Sequence, residues 1–330
     1  MSLFFLIIAL LVLIEFIVLN TLGLVLLISF LLLFISFFIF LFAFKRRKIV
    51  KEKQIKDFIK FHNLEKYQEG VLKGIDFFKK ADKEIITIES FDHLKLRGYF
   101  IKNQNSCHKT MIICHGYQST PYFDFSYAVK DYYDAGFDLL FIEQRAHEHS
   151  EGRFITFGMK ERFDIKSWVE YAVNKNPEND IILAGVSMGA SSIIFSLELG
   201  LPENVKGLIL DCGFSNAFDE IWWTISKKKK PLAKFLASIV NLYMKLFQKV
   251  SFKDVNIKDF LKENKIPVFI AHGTGDKVVP FEMAQEIYDN FDCDKTLFIV
   301  ENAPHAQSYI FDPIGYKNKV TEFLNKVLNK

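Results

Sequence analysis

The chain opens on an almost unbroken apolar stretch, Leu3 to Phe44, in which Glu15 is the one charged side chain. As helix this stretch would be about 63 Å long, twice the roughly 30 Å of bilayer hydrocarbon. A polar step, Asn20-Thr21-Leu22-Gly23, divides it into Leu3 to Leu19 and Leu24 to Phe44. Those lengths predict a helical hairpin, two crossings joined by a tight turn. A single tilted crossing is the rival, because the first half is short and holds Glu15. A secretory signal fits less well: no basic residue precedes the run and no small-residue cleavage site follows it.

From residue 45 to 81, Ile55, Phe58 and Ile59 recur among lysines at helical spacing. The pattern is that of a basic amphipathic linker helix, lying on anionic headgroups or serving as a solvated connector. Beyond it, Glu84 to Glu89 and Lys95 to Ile101 alternate apolar and polar around Ser90-Phe91-Asp92-His93, which predicts a β-hairpin. Short apolar runs then recur at Met111 to Cys114, Leu139 to Ile142, Ile181 to Ala184, Leu208 to Leu210, Val268 to Ala271 and Leu297 to Val300. Helix-length amphipathic stretches separate them, at 124–134, 159–174, 190–200, 281–290 and 315–328. Such an alternation predicts a mostly parallel sheet flanked by helices. The interval from Leu210 to Val268 is too long for one crossover, so 213–265 is expected to be an inserted helical cap. The expected organisation is therefore a transmembrane segment over 1–44, the linker over 45–81 and one α/β domain over 82–330.

Composition narrows the class. Half the residues are hydrophobic and a quarter are charged, which excludes a disordered or collagen-like chain. The 42 basic and 39 acidic residues leave a net charge of +3, too little for a nucleic-acid binder recognised by global charge. Locally the balance differs: Lys45-Arg46-Arg47-Lys48 follows the apolar run directly. Positive charge stays on the cytoplasmic side, which places the domain on the cytoplasmic face of a membrane. The four cysteines, Cys107, Cys114, Cys212 and Cys293, have no paired spacing and read as reduced thiols.

The chemistry gathers where apolar runs end. Ile181 to Ala184 leads into Gly185-Val186-Ser187-Met188-Gly189-Ala190, a G-x-S-x-G pattern between strand and helix. The glycines allow a sharp turn that lifts the serine hydroxyl above the sheet, with a helix N-terminus aimed at a developing oxyanion. A serine needs a base, and the base a carboxylate, in the order Ser, acid, His. Asp276 follows Val268 to Ala271 and His305 follows Leu297 to Val300. Loops after parallel strands open on one sheet edge, so the three can converge. An oxyanion hole would use the backbone amides of Met188 and of Tyr117, in the turn His115-Gly116-Tyr117-Gln118. His147, His149 and Glu143 lack a further placed ligand, so no metal is expected. Gly273-Thr274-Gly275 lacks the third glycine of a dinucleotide fingerprint, and no cofactor is expected. Lys227 to Lys230 reads as a solvated loop tip, or as a second membrane contact beside Trp222 and Trp223.

Together these residues resemble the α/β-hydrolase superfamily, in particular the serine-aminopeptidase and prolyl-oligopeptidase-like esterases of bacteria. The resemblance covers about residues 82 to 330 and implies the α/β-hydrolase fold. It makes His115-Gly116 the oxyanion turn, Gly185 to Gly189 the nucleophile elbow, and Asp276 and His305 the rest of a triad with Ser187. Glu143 to Gly152 is similar to a D-x-R-G-H-G-x-S segment of that family, departing at Glu143, Ala146 and Glu148. With two glycines lost, the path of that loop and the width of the site are the open points.

The expected function is a membrane-anchored serine hydrolase of carboxylic esters, with an acyl-enzyme on Ser187, lipid-like substrates and no nucleic-acid partner. The same triad would also serve a peptidase or a thioesterase. A membrane-tethered scaffold with an inactive hydrolase fold is the non-enzymatic alternative.

Overall fold

A computed structural model describes residues 2–46, 65–105, 108–228 and 230–328. The linker positions 47–64, with Ile55, Phe58 and Ile59, and also Cys107 and Lys229, lie outside the described residues. The first element, α1 (Ser2–Phe44), is one continuous helix. This corrects the expected hairpin. The Asn20 side-chain amide donates to the Phe16 carbonyl at 2.8 Å, and the Thr21 hydroxyl to that of Val18 at 2.9 Å. The polar step thus satisfies itself on the helix's own carbonyls. Gly23 alone costs the helix only about 1 kcal/mol.

A second helix, α2 (Gln68–Lys80), falls inside the span expected to be linker. It belongs to the folded body: Phe78 stacks on Tyr122 at 4.9 Å and meets Phe141 edge-on at 5.0 Å. The packed domain therefore begins before the expected boundary at 82. Then come the strands β1 (Glu84–Glu89), β2 (Lys95–Ile101) and β3 (Lys109–Cys114), the short helices α3 (Pro121–Asp124) and α4 (Val129–Asp134), and β4 (Asp138–Ile142). The helix expected over 124–134 is broken because α2 crosses it. A Cβ on Gly74 would stand 1.5 Å from the Ser126 carbonyl oxygen, and the chain there is tightened into turns.

The remainder alternates as expected: α5 (Glu161–Lys175), β5 (Asp180–Val186), α6 (Met188–Ser196), β6 (Val205–Asp211), the cap helices α7 (Ala217–Ile225) and α8 (Pro231–Gln248), β7 (Val268–Gly273), α9 (Phe281–Asn290), β8 (Lys295–Val300), α10 (Ser308–Phe311) and α11 (Pro313–Leu328). The eight strands form one sheet in the order β1-β2-β4-β3-β5-β6-β7-β8. Both β1 and β4 pair antiparallel with β2, while β4, β3, β5, β6, β7 and β8 run parallel. The central β3, β5 and β7 are buried nearly end to end, as strands covered on both faces must be. Helices α5 and α6 cover one face and α11 the other, where Phe323 and Tyr316 meet Phe269.

The C-terminal part of α1 joins this body. Phe40 is fully buried against Phe154, Tyr243 and Phe247, and Phe44 packs on Phe157 and Phe252. The Ile155 amide donates to the Phe44 carbonyl at 2.7 Å, and the Arg46 amide to the Arg153 carbonyl at 2.8 Å. Tyr243 on α8 reaches along α1 to donate to the Leu33 carbonyl at 2.7 Å. Before that junction the described side chains of α1 are almost all exposed, and it is long and apolar enough to cross a membrane.

Candidate active site

The parallel strands deliver their following loops to one sheet edge. Immediately after β5, Ser187 takes φ 54° and ψ −120°, a left-handed conformation that a serine adopts only where its surroundings enforce it. Those surroundings explain the flanking glycines. A Cβ on Gly189 would lie 2.2 Å from the Cys114 carbonyl oxygen, and one on Gly185 2.6 Å from the Ala190 amide. The Ser187 amide donates to Asp211 at the end of β6 at 2.8 Å, tying the turn to the neighbouring strand.

His305 Nε2 lies 2.9 Å from Ser187 Oγ, and His305 Nδ1 lies 2.6 Å from Asp276 Oδ2. The other Asp276 oxygen accepts the amides of Val278 at 2.7 Å and Val279 at 2.9 Å. Burial alone would raise the Asp276 carboxyl, but hydrogen bonds from His272 and His305 outweigh it and hold the group well below the usual carboxylate range. The three residues singled out in the sequence are thus brought into one hydrogen-bonded chain. Its chemistry is that of a serine whose proton has a base to go to, and a base whose imidazole is oriented by an ionised carboxylate.

The turn holding Tyr117 lies opposite. The Gly116 amide donates to Asp124 Oδ2 at 2.6 Å, and the Gln118 amide donates to His147 Nε2 at 3.0 Å. The Tyr117 amide is therefore held from both sides. Met188 is the first residue of α6, where helical N–H groups have no partner within the helix. Burial pushes the Asp124 carboxyl up to about 6, against the opposing hydrogen bonds from Ser119 and Gly116.

Four residues support this arrangement; the sequence places His115 in the oxyanion turn only and assigns His147, Arg145 and Asp211 no supporting role. His115 is fully buried, accepts the Gln144 amide at Nε2 (3.1 Å) and faces the Gly116 carbonyl with Nδ1 (2.8 Å). His147 is arranged alike, with Nδ1 2.9 Å from the Arg145 carbonyl. Both are fixed as neutral rings that donate from Nδ1 and accept at Nε2, and burial lowers the basicity of both. Arg145, 2% exposed, bridges Asp164 at 2.6 Å and Asp92 at 3.0 Å. Asp211, beneath the serine, accepts the Ser308 hydroxyl at 2.9 Å and is pushed up to about 6 by burial. A signal for the histidines existed: each lies in a loop directly after a strand that ends at the site edge.

The 143–152 loop keeps a tight path without the two glycines. Ala146 and Glu148 themselves take positive φ, 59° and 40°. Glu143 is buried, accepts from the Tyr99 hydroxyl at 2.9 Å and from the His149 amide at 2.8 Å. Glu143, Glu148 and His149 bring possible ligand atoms within 4.8 Å of one another, and so do Cys212, Asp276 and His305. In both groups carboxylate oxygens are already engaged by protein donors, which explains the clustering.

Ser187 opens on a cavity of about 480 Å³. Its walls come from α1 (Ile39, Ala43, Phe44), from the cap (Ile221, Thr224, Ile225, Val240) and from Phe157, Phe214 and Val279. The expected cap insertion is thus present as α7 and α8 and does form part of the wall. Two acids stand in the lining: Asp124, which accepts the Gly116 amide, and, among the apolar cap groups, Glu220, 2% exposed, which accepts the Thr224 hydroxyl at 3.0 Å.

The sheet order and the strand-to-helix turn at Ser187 define the α/β-hydrolase fold; the chain is a member of that superfamily, and its class is that of the hydrolases. A family model described as serine aminopeptidase, S33, matches residues 105–252. The esterase Pf2001 of Pyrococcus furiosus is similar in structure, at 27% identity and a TM-score of 0.60, covering 75% of this chain and 93% of that one. The YqkD protein of Bacillus subtilis (strain 168) is 24% identical over 76% of this chain and 82% of its own. Est1E of Butyrivibrio proteoclasticus, solved with ferulic acid, shares the fold at 22% identity and a TM-score of 0.56, covering 74% of this chain and all of that one.

Proposed function

We propose that the protein is a membrane-anchored serine hydrolase that cleaves carboxylic esters with lipid-like acyl chains. The observation that carries this reading is the chain Asp276–His305–Ser187 opening on an apolar cavity walled partly by α1. His305 Nε2 accepts the Ser187 proton as Oγ bonds to the substrate carbonyl carbon. The oxyanion so formed is held by the amides of Met188 and Tyr117, each contributing about 3 kcal/mol. Collapse breaks the ester C–O bond, and the alcohol leaves with the proton from His305. Water then repeats the sequence on the acyl-enzyme and frees the acid, restoring Ser187.

The membrane part of the reading draws on α1 and α8 together. About 46 Å of α1 precedes Leu33, more than the hydrocarbon thickness, so one crossing accommodates it by tilting. Beside it, α8 carries three distinct faces. Ala233, Ala237, Val240 and Met244 are buried; Lys234 and Lys245 are exposed on a second face; Leu232, Phe235, Leu242 and Leu246 are exposed on a third. At 3.6 residues per turn those four apolar positions fall within an arc of about 80°. Such a helix, with lysines beside an exposed apolar stripe, suits the interface of an anionic leaflet. The basic run from Lys45 to Lys48 favours the cytoplasmic leaflet. Protease digestion of the domain in intact cells would overturn that orientation.

The test of the chemistry is covalent labelling of the detergent-solubilised protein by a fluorophosphonate. Labelling of the native protein, lost in Ser187→Ala and strongly reduced in His305→Ala, is the expected result. A folded native protein that takes no label would sink the reading and favour the scaffold.

One observation favours a second reading, a peptidase. Glu220 in the cavity wall offers a carboxylate to a substrate amine. Aminoacyl anilides hydrolysed in preference to acyl esters, with that preference lost in Glu220→Gln, would select it.

A further inference from the structure

We infer that the last two turns of α1 are part of the substrate site, so that the helix expected to anchor the protein also selects which acyl chains reach Ser187. The inference rests on the ester-hydrolase reading above and adds a specificity-determining element to it.

A tether needs no defined contact with the catalytic body. The end of α1 instead has contacts on two sides. The last four carbonyls of a helix lack partners within it, and here the folded body supplies partners for the final two. Ala43 receives the Tyr117 hydroxyl and, at 3.4 Å, the Gln118 side-chain amide, while Phe44 receives the Ile155 amide at 2.7 Å. The same Gln118 amide donates to the Tyr117 hydroxyl at 2.8 Å. The segment that carries the Tyr117 amide toward Ser187 is thus fastened by its side chains to the end of α1, and by the Gln118 amide to His147.

The same two turns supply cavity surface. Ile39, Ala43 and Phe44 face the space in front of Ser187, across from Ile221 and Val240 of the cap. Ile39 is also 37% exposed, one of the outward apolar side chains of α1 that continue through Phe38, Ile35 and Phe34 toward the N-terminus. The acyl wall and the lipid-facing surface are therefore one continuous apolar strip on a single helix. Its chemistry fits an ester whose acyl chain leaves the bilayer along α1, and the side chain at position 39 sets how much of that chain the cavity accepts.

The test uses the full chain in detergent micelles and compares kcat/KM for butyryl and palmitoyl nitrophenyl esters. Ile39→Trp narrows the wall and should lower palmitoyl turnover relative to butyryl by about tenfold or more, the discrimination that a hydrophobic pocket can exert. Ile39→Ala should shift the ratio the other way. Leu27→Ala, exposed on α1 well before the cavity, should leave it unchanged. If Ile39→Trp takes no fluorophosphonate label, and so has lost its fold, Ile39→Ala decides. Ratios unchanged in labelled, active Ile39 variants would overturn the inference. A native protein that neither labels nor cleaves esters would instead remove the reading on which it rests.

Discussion

The Nε2 atom of His147 accepts the backbone amide of Gln118 at 3.0 Å, so a neutral, buried imidazole fixes the residue next to Tyr117, the proposed oxyanion donor. Burial lowers the basicity of His147. Such a group contributes its full stability above its unfolded value of about 6.5 and loses that contribution as pH falls, because the unfolded chain binds the proton first. Removing it with His147→Gln should therefore destabilise most at pH 7.5. The gap to the native protein should narrow toward pH 5. Asp124, pushed up to about 6, titrates with the opposite sign but in both proteins, and cancels in the difference. Denaturant unfolding in detergent at the two pH values measures the gap; a gap independent of pH would show that His147 is not held neutral.

Asp276 offers one oxygen to two backbone amides and the other to His305. In Asp276→Asn the amide oxygen can keep the backbone bonds while its NH2 faces the ring, which forces the wrong tautomer on His305. Ester turnover should fall by about 10³ to 10⁴ in kcat with KM little changed. A loss smaller than tenfold would mean that Asp276 is a turn residue and no more.

Ala146 stands at φ 59° in the loop that carries His147. Glycine adopts that conformation freely, whereas a β-branched residue does not. Ala146→Gly should stay within about 1 kcal/mol of the native protein, since relief of strain offsets the lost methyl. Ala146→Val should lose about 2 kcal/mol or more. Equal stability of the two variants would show that the loop relaxes to another path.

The exposed stripe of α8 can be probed by Leu246→Trp in vesicles containing brominated lipid. If α8 lies in the headgroup region, the added fluorescence should be quenched, while that of Lys319→Trp, on the exposed face of α11, should not be. A fluorophore at 246 that is not quenched would place α8 away from the bilayer.

Much of this architecture is legible in the sequence because its signals are local. A buried parallel strand is a short apolar run, and the runs that end at Ser187, Asp276 and His305 mark their own sheet edge. The docking of α1 is not legible in this way. Every face of that helix is apolar, so nothing distinguishes Phe40 and Phe44, which meet Tyr243, Phe247 and Phe252, from exposed side chains such as Leu26 and Leu27 earlier on the same helix. Asn20 and Thr21 mislead for the opposite reason: polar side chains suggest a turn, yet these satisfy themselves on carbonyls within α1. Arg145 is likewise silent until Asp92 and Asp164, from two other elements, close around it.

Synthesis gives the junction of Phe40 and Phe44 an order in time. Chains emerge N-terminus first, at about 5–20 residues per second. The helix that holds these two phenylalanines is made before the body it docks on: Phe154, Tyr243 and Phe252 follow Phe44 by roughly 110 to 210 residues. For about ten seconds or more the ribosome carries a finished apolar helix whose docking surface does not yet exist. A segment made early is thus among the last to reach its final contacts, and closing the cavity wall in front of Ser187 becomes a late step of maturation.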